Sequence, residues 1–389
     1  MTIATSATRW RCTASTAITE AKGALPACSP LARALLLGGL LRANSRAFYL
    51  SLRVLPRSLR APVGLAYLLA RAADTLSDAG GLPREERLKL LRAFRGQLAD
   101  RAPDPETLRA LAAAGTGWKP AEDELLRALP EAFALLRALP PSDAERIRAV
   151  LLALTQGMEA ELLTFVSPPG TVTALPDAAA LDRCTYLAAG CVGEFWTAML
   201  RAHCPAVRHW ETARFSELGL RFGKALQLVN LTRDAARDLR LGRCYLPRDE
   251  LARAGLRPEE LLAPTPETRT KLRPVLAERL RTALEHFTAA EQYLLAIPRR
   301  AVRLRLAAFW PLLMGLATLS LLGESPDFLD AARPVKVKRG WVRRMMLSSC
   351  FAAPSNWLLK SWIGSWRRRA VRASEALAAR QDARSEKSR

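Results

Sequence analysis

The stretch YLLARAADTLSD, residues 67–78, commits its neighbourhood to a bundle of helices. Alanine and leucine are strong helix formers, no Pro or Gly interrupts the run, and Gly80 and Gly81 follow as a stop. At about 100° per residue, Tyr67, Arg71, Asp74 and Asp78 fall within roughly a 60° sector of one face. Leu68, Leu69, Ala70, Ala72, Ala73 and Leu76 make the remaining faces apolar, so other helices should surround this one. Taken alone, the stripe also reads as a solvated face in which Arg71 pairs with Asp74 or Asp78. In a central helix its carboxylates need cations or a metal to compensate them.

Other helix-length segments can supply that surround. Helical patterning recurs at 30–53, 57–79, 84–99, 121–137, 142–165, 178–201, 208–239, 247–254, 267–294 and 298–322, separated by breaks such as ADRAPDP, LPPSD and SPPG. β-Branched alternation is scarce, and half of the 389 residues are hydrophobic, enough for a large core. The expectation is an all-α bundle without internal repeat or long linker.

A second polar run, GKALQLVNLTRDAARD, ends the 208–239 segment. Gln227, Asn230, Asp234 and Asp238 gather on one face while Arg233 points elsewhere. Gly219 and Gly223, earlier on that helix, either permit close helix packing or leave room for a ligand. Two helices thus each present two aspartates. Facing carboxylate pairs suit magnesium, which leaves coordination positions to water and substrate phosphate. With cations around a departing pyrophosphate and an apolar cavity beneath, the arrangement predicts ionisation of an allylic diphosphate.

The net charge of +22 raises the question of nucleic acid, but residues 333–389 hold 15 Lys and Arg against 3 Asp and Glu. More than half the excess therefore sits in the tail, and no nucleic-acid-binding signature accompanies it. No nucleic-acid partner and no obligate protein partner are expected. The non-enzymatic alternative is a basic helical protein that binds membrane or nucleic acid. Seven cysteines without a CxxC pair suggest reduced thiols and a cytoplasmic location. The three histidines, His203, His209 and His286, are too scattered for a zinc site. No segment has 18 uninterrupted apolar residues, so no membrane-spanning helix is expected.

Beyond these readings, the chain resembles the squalene and phytoene synthase family over roughly residues 30–345. The resemblance is carried, in order, by SRAFY at 45–49, YLLARAADTLSD, GMEAE at 157–161, AAGCVGEFW at 188–196, LQLVNLTRDAARD at 226–238 and GRCYLP at 242–247. It implies a class I isoprenoid synthase helical bundle around a central cavity. It also implies head-to-head joining of two prenyl diphosphates through a cyclopropylcarbinyl diphosphate. Asp74, Asp78, Asp234 and Asp238, extended by Asn230, would hold Mg2+ around diphosphate, with Mn2+ as an alternative. Ser45, Arg46, Phe48, Gln227, Asn230 and Arg233 would bind substrate; Arg71 would order the first motif. Tyr67 and Tyr186 would stabilise cations or move protons, although the family often has a tyrosine where this chain has Leu187.

The resemblance leaves the last step open. Hydride from NADPH gives squalene, proton loss gives phytoene or dehydrosqualene, and water gives a hydroxylated product. VKVKRG at 335–340 resembles a loop that helps bind NADPH in squalene synthases, through Lys336, Lys338 and Arg339; it also reads as a basic surface cluster. Squalene formation from two farnesyl diphosphates is the preferred expectation, with phytoene from two geranylgeranyl diphosphates as the alternative. The expected organisation is a disordered leader at 1–29, a catalytic domain at 30–340 and a basic, Trp-containing tail at 341–389. In that tail Trp357, Trp362 and Trp366 lie beside Lys360 and Arg367 to Arg369, as in an interfacial membrane helix or a cap on the bundle. Peripheral membrane association is the expectation.

Overall fold

The structure, a computed structural model, describes residues 25, 27–45, 52–79, 81–100, 102–114, 118–166, 168, 170–325, 329 and 334–379. The chain is all-α. Helices α1 (Pro30–Ala34) and α2 (Leu41–Ser45) are joined by a π-helical turn at Leu35–Leu40. Next come α3 (Arg57–Ser77), α4 (Arg84–Ala99), α5 (Pro105–Ala113), α6 (Pro120–Arg127), α7 (Leu129–Ala138) and α8 (Pro141–Thr164). Helix α9 (Ala178–Thr185) passes through a second π-helical turn, Tyr186–Gly190, into α10 (Cys191–His203). The remainder is α11 (Thr212–Arg240), α12 (Arg248–Arg253), α13 (Pro266–Ala296), α14 (Val302–Glu324), α15 (Arg339–Ala352) and α16 (Asn356–Ala379).

Helix α3 occupies the expected central position. Leu65, Leu68, Leu69, Ala72, Ala73 and Leu76 are fully buried, while Tyr67, Arg71 and Asp74 are half-buried and Asp78 is exposed. The long α11 starts where the Glu211 carboxylate accepts from the amides of Ala213 and Arg214, a side-chain N-cap. It then crosses α10 backbone to backbone. A Cβ on Gly193 would lie 1.9 Å from the Gly219 carbonyl oxygen, and one on Gly223 would lie 2.1 Å from that of Ala189. Gly219 and Gly223 therefore serve close packing rather than ligand space.

Gly242, at φ 75°, turns the chain sharply out of α11. A two-residue parallel ladder, β1 (Thr173–Ala174) with β2 (Arg243–Cys244), catches it there. The Thr173 amide donates to Gly242 at 2.9 Å and the Leu175 amide to Cys244 at 3.0 Å. This short ladder places Arg243 and Tyr245 beneath the end of α11.

Three segments differ from the sequence expectation. Helix 30–53 is interrupted by the π turn, and Arg46 and Phe48 lie outside the described residues. Most of the leader at 1–29 also lies outside them; of its described residues, Leu25 is buried and its carbonyl accepts from Arg137 Nη1 at 3.4 Å. The tail forms α15 and α16, which pack on the bundle. Trp310 Nε1 donates to Ser349 Oγ at 2.8 Å, Arg367 pairs with Glu291 at 2.6 Å, and Leu359, Ile363 and Ala370 are buried. Trp362 meets Phe309 edge to face, and Trp366 meets Trp341. Those two tryptophans cap the bundle; Trp357 does not. Helix α14, the one described helix long and apolar enough to cross a membrane, is mostly buried inside the bundle.

Candidate active site

A cavity of about 490 Å³ opens between α3, α8, the Tyr186–Gly190 turn and α11, within the range of roughly 300–1,000 Å³ usual for ligand pockets. Asp74 and Gln227 contribute polar atoms at its border, and Leu154, Met158, Phe165 and Leu187 contribute apolar wall. Both stripes found in the sequence thus reach one cavity.

Asp78 and Asp238, one from each acid pair, lie close enough to act on each other electrostatically. Burial and the neighbouring Asp78 raise the Asp74 carboxyl above the usual carboxylate range, despite its ion pair with Arg71. Burial and Asp234 push Asp238 up to about 6, with Asp78 on the opposite helix adding to the repulsion and Arg243 opposing it. Arg71 reaches Glu122 on α6 at 2.6 Å as well as Asp74. Arg233 grips Asp234 through two hydrogen bonds, at 2.8 and 2.6 Å. The ion pairing available from the sequence is therefore real, yet it leaves the carboxylates short of positive charge.

Three residues that sequence reasoning did not assign complete this polar end. Arg243 lies 3.9 Å from Asp78. Burial works against its charge, but Tyr245, Asp78 and Glu161 outweigh it and raise its pKa. Glu161 lines the cavity; burial raises its carboxyl, opposed by Arg243 and a hydrogen bond from Tyr245. Cys184 Sγ donates to Glu161 at 3.7 Å. Tyr245 packs edge to face on Phe165 at 5.0 Å. GMEAE and GRCYLP were the available signals, but only the β1–β2 ladder brings them together.

Other expected residues take different places. Tyr186 is turned away from the cavity: its hydroxyl donates to Glu194 at 3.0 Å, and Leu187 faces the cavity instead. The Tyr67 hydroxyl donates to the Asn44 carbonyl at 3.1 Å, tying α3 to α2. Ser45 is buried with its hydroxyl donating to the Leu41 carbonyl. Asn230 is exposed. Lys336, Lys338 and Arg339 are exposed and free of ion pairs among the described residues; Leu329, upstream of them, lines a cleft with Asp238 and Arg243.

No group of three metal-ligating side chains is preassembled among the described residues. Even so, the donor set fits magnesium: carboxylates paired on two helices, with burial and then the neighbouring acid raising the proton affinity of Asp74 and Asp238. Because Asp238 binds its proton more tightly folded than unfolded, its contribution to metal-free stability falls as pH rises from the ordinary 3.8 through about 6. Magnesium requires the ionised carboxylates. We therefore expect the Mg2+-induced rise in Tm to be larger near pH 7 than about pH 5. An equal or larger rise at the lower pH, measured by calorimetry, contradicts this carboxylate site.

Residues 41–341 match the Squalene/phytoene synthase family. A bifunctional lycopene cyclase/phytoene synthase of Colletotrichum graminicola is 30% identical over 260 residues, covering 66% of this chain and 41% of that protein. A phytoene synthase of Cereibacter sphaeroides is 30% identical over 255 residues, 64% of this chain and 59% of its own. The match thus spans less than two thirds of both relatives. A presqualene diphosphate synthase of Sinorhizobium fredii is 28% identical over 264 residues, 66% of this chain and 77% of its own. Among solved structures, TcSQS in complex with a ligand superposes with TM-score 0.67 at 22% identity, covering 87% of this chain and 98% of that one. A dehydrosqualene synthase gives 0.55 at 18% identity, covering 83% and 96%. These two share the fold. The matched span, more than half of the chain, shows that it belongs to the squalene/phytoene synthase family, prenyltransferases that condense prenyl diphosphates head to head.

Proposed function

We propose that the protein joins two farnesyl diphosphates through a cyclopropylcarbinyl diphosphate and converts that intermediate to squalene with NADPH. The observation that carries this reading is the approach of Asp78 to Asp238, one from each acid pair, with Arg243 beside them, next to a cavity that Asp74 and Gln227 help line. Asp74, Asp78, Asn230, Asp234 and Asp238 would hold magnesium, which when bound supplies charge that stabilises the departing pyrophosphate. Arg71 and Arg233 keep Asp74 and Asp234 oriented. Arg243 places a guanidinium between the two motifs, where diphosphate charge accumulates. Leu154, Met158 and Leu187 exclude water from the cationic carbon, and Phe165 offers it an aromatic ring.

Lys336, Lys338 and Arg339 form an acid-free cationic strip suited to the phosphates of NADPH. Because the hydrocarbon product is insoluble in water, the proposal includes a cytoplasmic protein held peripherally on a membrane. A second reading, phytoene from two geranylgeranyl diphosphates, draws on the phytoene synthases among the relatives. Leu187 in the cavity wall, in place of the tyrosine common in the family, favours a third outcome: release of the cyclopropylcarbinyl diphosphate. Offering the purified protein each diphosphate with Mg2+, with and without NADPH, and analysing extracts by mass separates the three. Squalene from the C15 substrate only with NADPH is expected. A C40 hydrocarbon formed only from the C20 substrate overturns the chain-length assignment. A C30 diphosphate accumulating regardless of NADPH overturns the reductive step.

A further inference from the structure

Helices α14 and α16 lie side by side and parallel. Arg305 meets Asn356 at one end, Phe309 meets Trp362 midway, and Glu324 pairs with Arg369 at the other. Both N-termini, with their positive dipole ends, therefore emerge at the same end of the bundle, that of α16 capped in part by Ser355 Oγ, which accepts from the Leu358 amide at 3.3 Å. Positive side chains concentrate there. Arg299, Arg300 and Arg303 are exposed on the approach to α14 and its first turn. Arg305 is 0% exposed. Its Nη2 donates to Asn356 Oδ1 in the first turn of α16, while its Nε and Nη1 have no partner. The charge acting on it from nearby is another cation, Arg299. A buried guanidinium beside a helix N-terminus with no carboxylate adds uncompensated positive charge to this end of the bundle, behind the exposed Arg299, Arg300 and Arg303. Neither residues 292–323 nor residues 331–374 contain an acid to meet it.

The same end exposes apolar side chains. Leu347 and Phe351, one turn apart on α15, are 71% and 85% exposed, and Trp357, just past the tight turn into α16, is 74% exposed. Their helix is anchored: Ser349, between Leu347 and Phe351, accepts from Trp310 on α14. Phe351 and Trp357 thus project from a rigid corner rather than from a loose tail. An aromatic and apolar tip beside a field of arginines matches a phospholipid surface, which offers acyl chains beneath a layer of phosphate.

We propose that the α15–α16 corner and the adjoining N-termini of α14 and α16 are the surface that docks on an anionic bilayer, with Phe351 and Trp357 entering the interface and the arginine cluster facing lipid phosphates. This rests on the membrane-associated reading above, and it moves the contact from the row of Trp357, Trp362 and Trp366 to one end of the bundle. Trp362 and Trp366 are occupied inside the protein.

The test uses the full chain and vesicles of mixed phosphatidylglycerol and phosphatidylcholine, pure phosphatidylcholine vesicles, and inorganic phosphate. Co-sedimentation is expected with the anionic vesicles. It should fall by roughly ten-fold or more in Phe351→Ser/Trp357→Ser and again in Arg299→Glu/Arg300→Glu/Arg303→Glu. Both variants alter exposed side chains, so circular dichroism and turnover of detergent-dispersed substrate should match the parent. Brominated lipid should quench a component of tryptophan emission that Trp357→Phe removes. Parent and variants sedimenting equally would overturn the assigned surface while leaving membrane association in place. Failure of the parent to sediment would overturn both. Thermal stabilisation by inorganic phosphate without vesicle binding would make the cluster a free-anion site and overturn the proposal.

Discussion

Asp234→Asn and Asp74→Asn are each expected to lower turnover by roughly a thousand-fold while leaving the helical bundle intact. The substitution keeps side-chain shape and removes one charge from the set that would hold metal around a departing diphosphate. Stability should respond differently from activity. Asp74 is a carboxyl whose charge is disfavoured by burial and by Asp78, so neutralising it relieves repulsion in the metal-free protein. Arg71 keeps Glu122 as a partner, at 2.6 Å, and is not stranded by the change. The expected signature of Asp74→Asn is therefore an inactive protein whose metal-free Tm equals or exceeds that of the parent, and which Mg2+ stabilises less. Near-normal turnover in both folded variants would remove the acid pairs from the chemistry.

Gly193→Ala is expected to destabilise the protein by about 3 kcal/mol or more, the upper part of the overpacking range, because the clash involves backbone and not a movable side chain. The added methyl would stand 1.9 Å from the Gly219 carbonyl oxygen. Relief requires α10 and α11 to separate. That separation would also disturb the cavity, since α11 carries Gln227 and the turn leading into α10 carries Leu187, both in its lining. Gly96→Ala on α4 is the control. Nothing lies within 4 Å of its added methyl, and replacing a helix-interior glycine should stabilise by about 1 kcal/mol. Denaturant unfolding of the two variants against the parent reads both effects. A Gly193→Ala protein as stable as the parent would contradict the close crossing.

Much of this architecture was legible because periodicity and burial agree. The helix at 57–79 could be placed centrally since Leu68, Leu69, Ala72, Ala73 and Leu76 leave only one polar sector, and the structure buries those residues. The aspartates on 208–239 were legible by the same argument. What escaped depends on contacts distant in sequence. Arg243 stands beside Asp78 only because Gly242 and the β1–β2 ladder fold the chain back, and no local pattern encodes a two-residue parallel pairing. That Leu187 lines the cavity while the Tyr186 hydroxyl donates to Glu194 depends on the π-helical turn at Tyr186–Gly190, which periodicity does not reveal. In sequence the tail is ambiguous, because its tryptophans and arginines suit a membrane as well as a bundle. Contacts from Trp362 to Phe309 and from Arg367 to Glu291 resolve most of it into packing.

The most direct measurement of the central claim is pyrophosphate release from farnesyl diphosphate by the purified protein, followed with and without Mg2+ while the organic products are identified by mass. The account predicts Mg2+-dependent release coupled to a new carbon–carbon bond, so that every organic product contains both prenyl chains. Pyrophosphate release that yields only farnesol, or release that is indifferent to Mg2+, would contradict it.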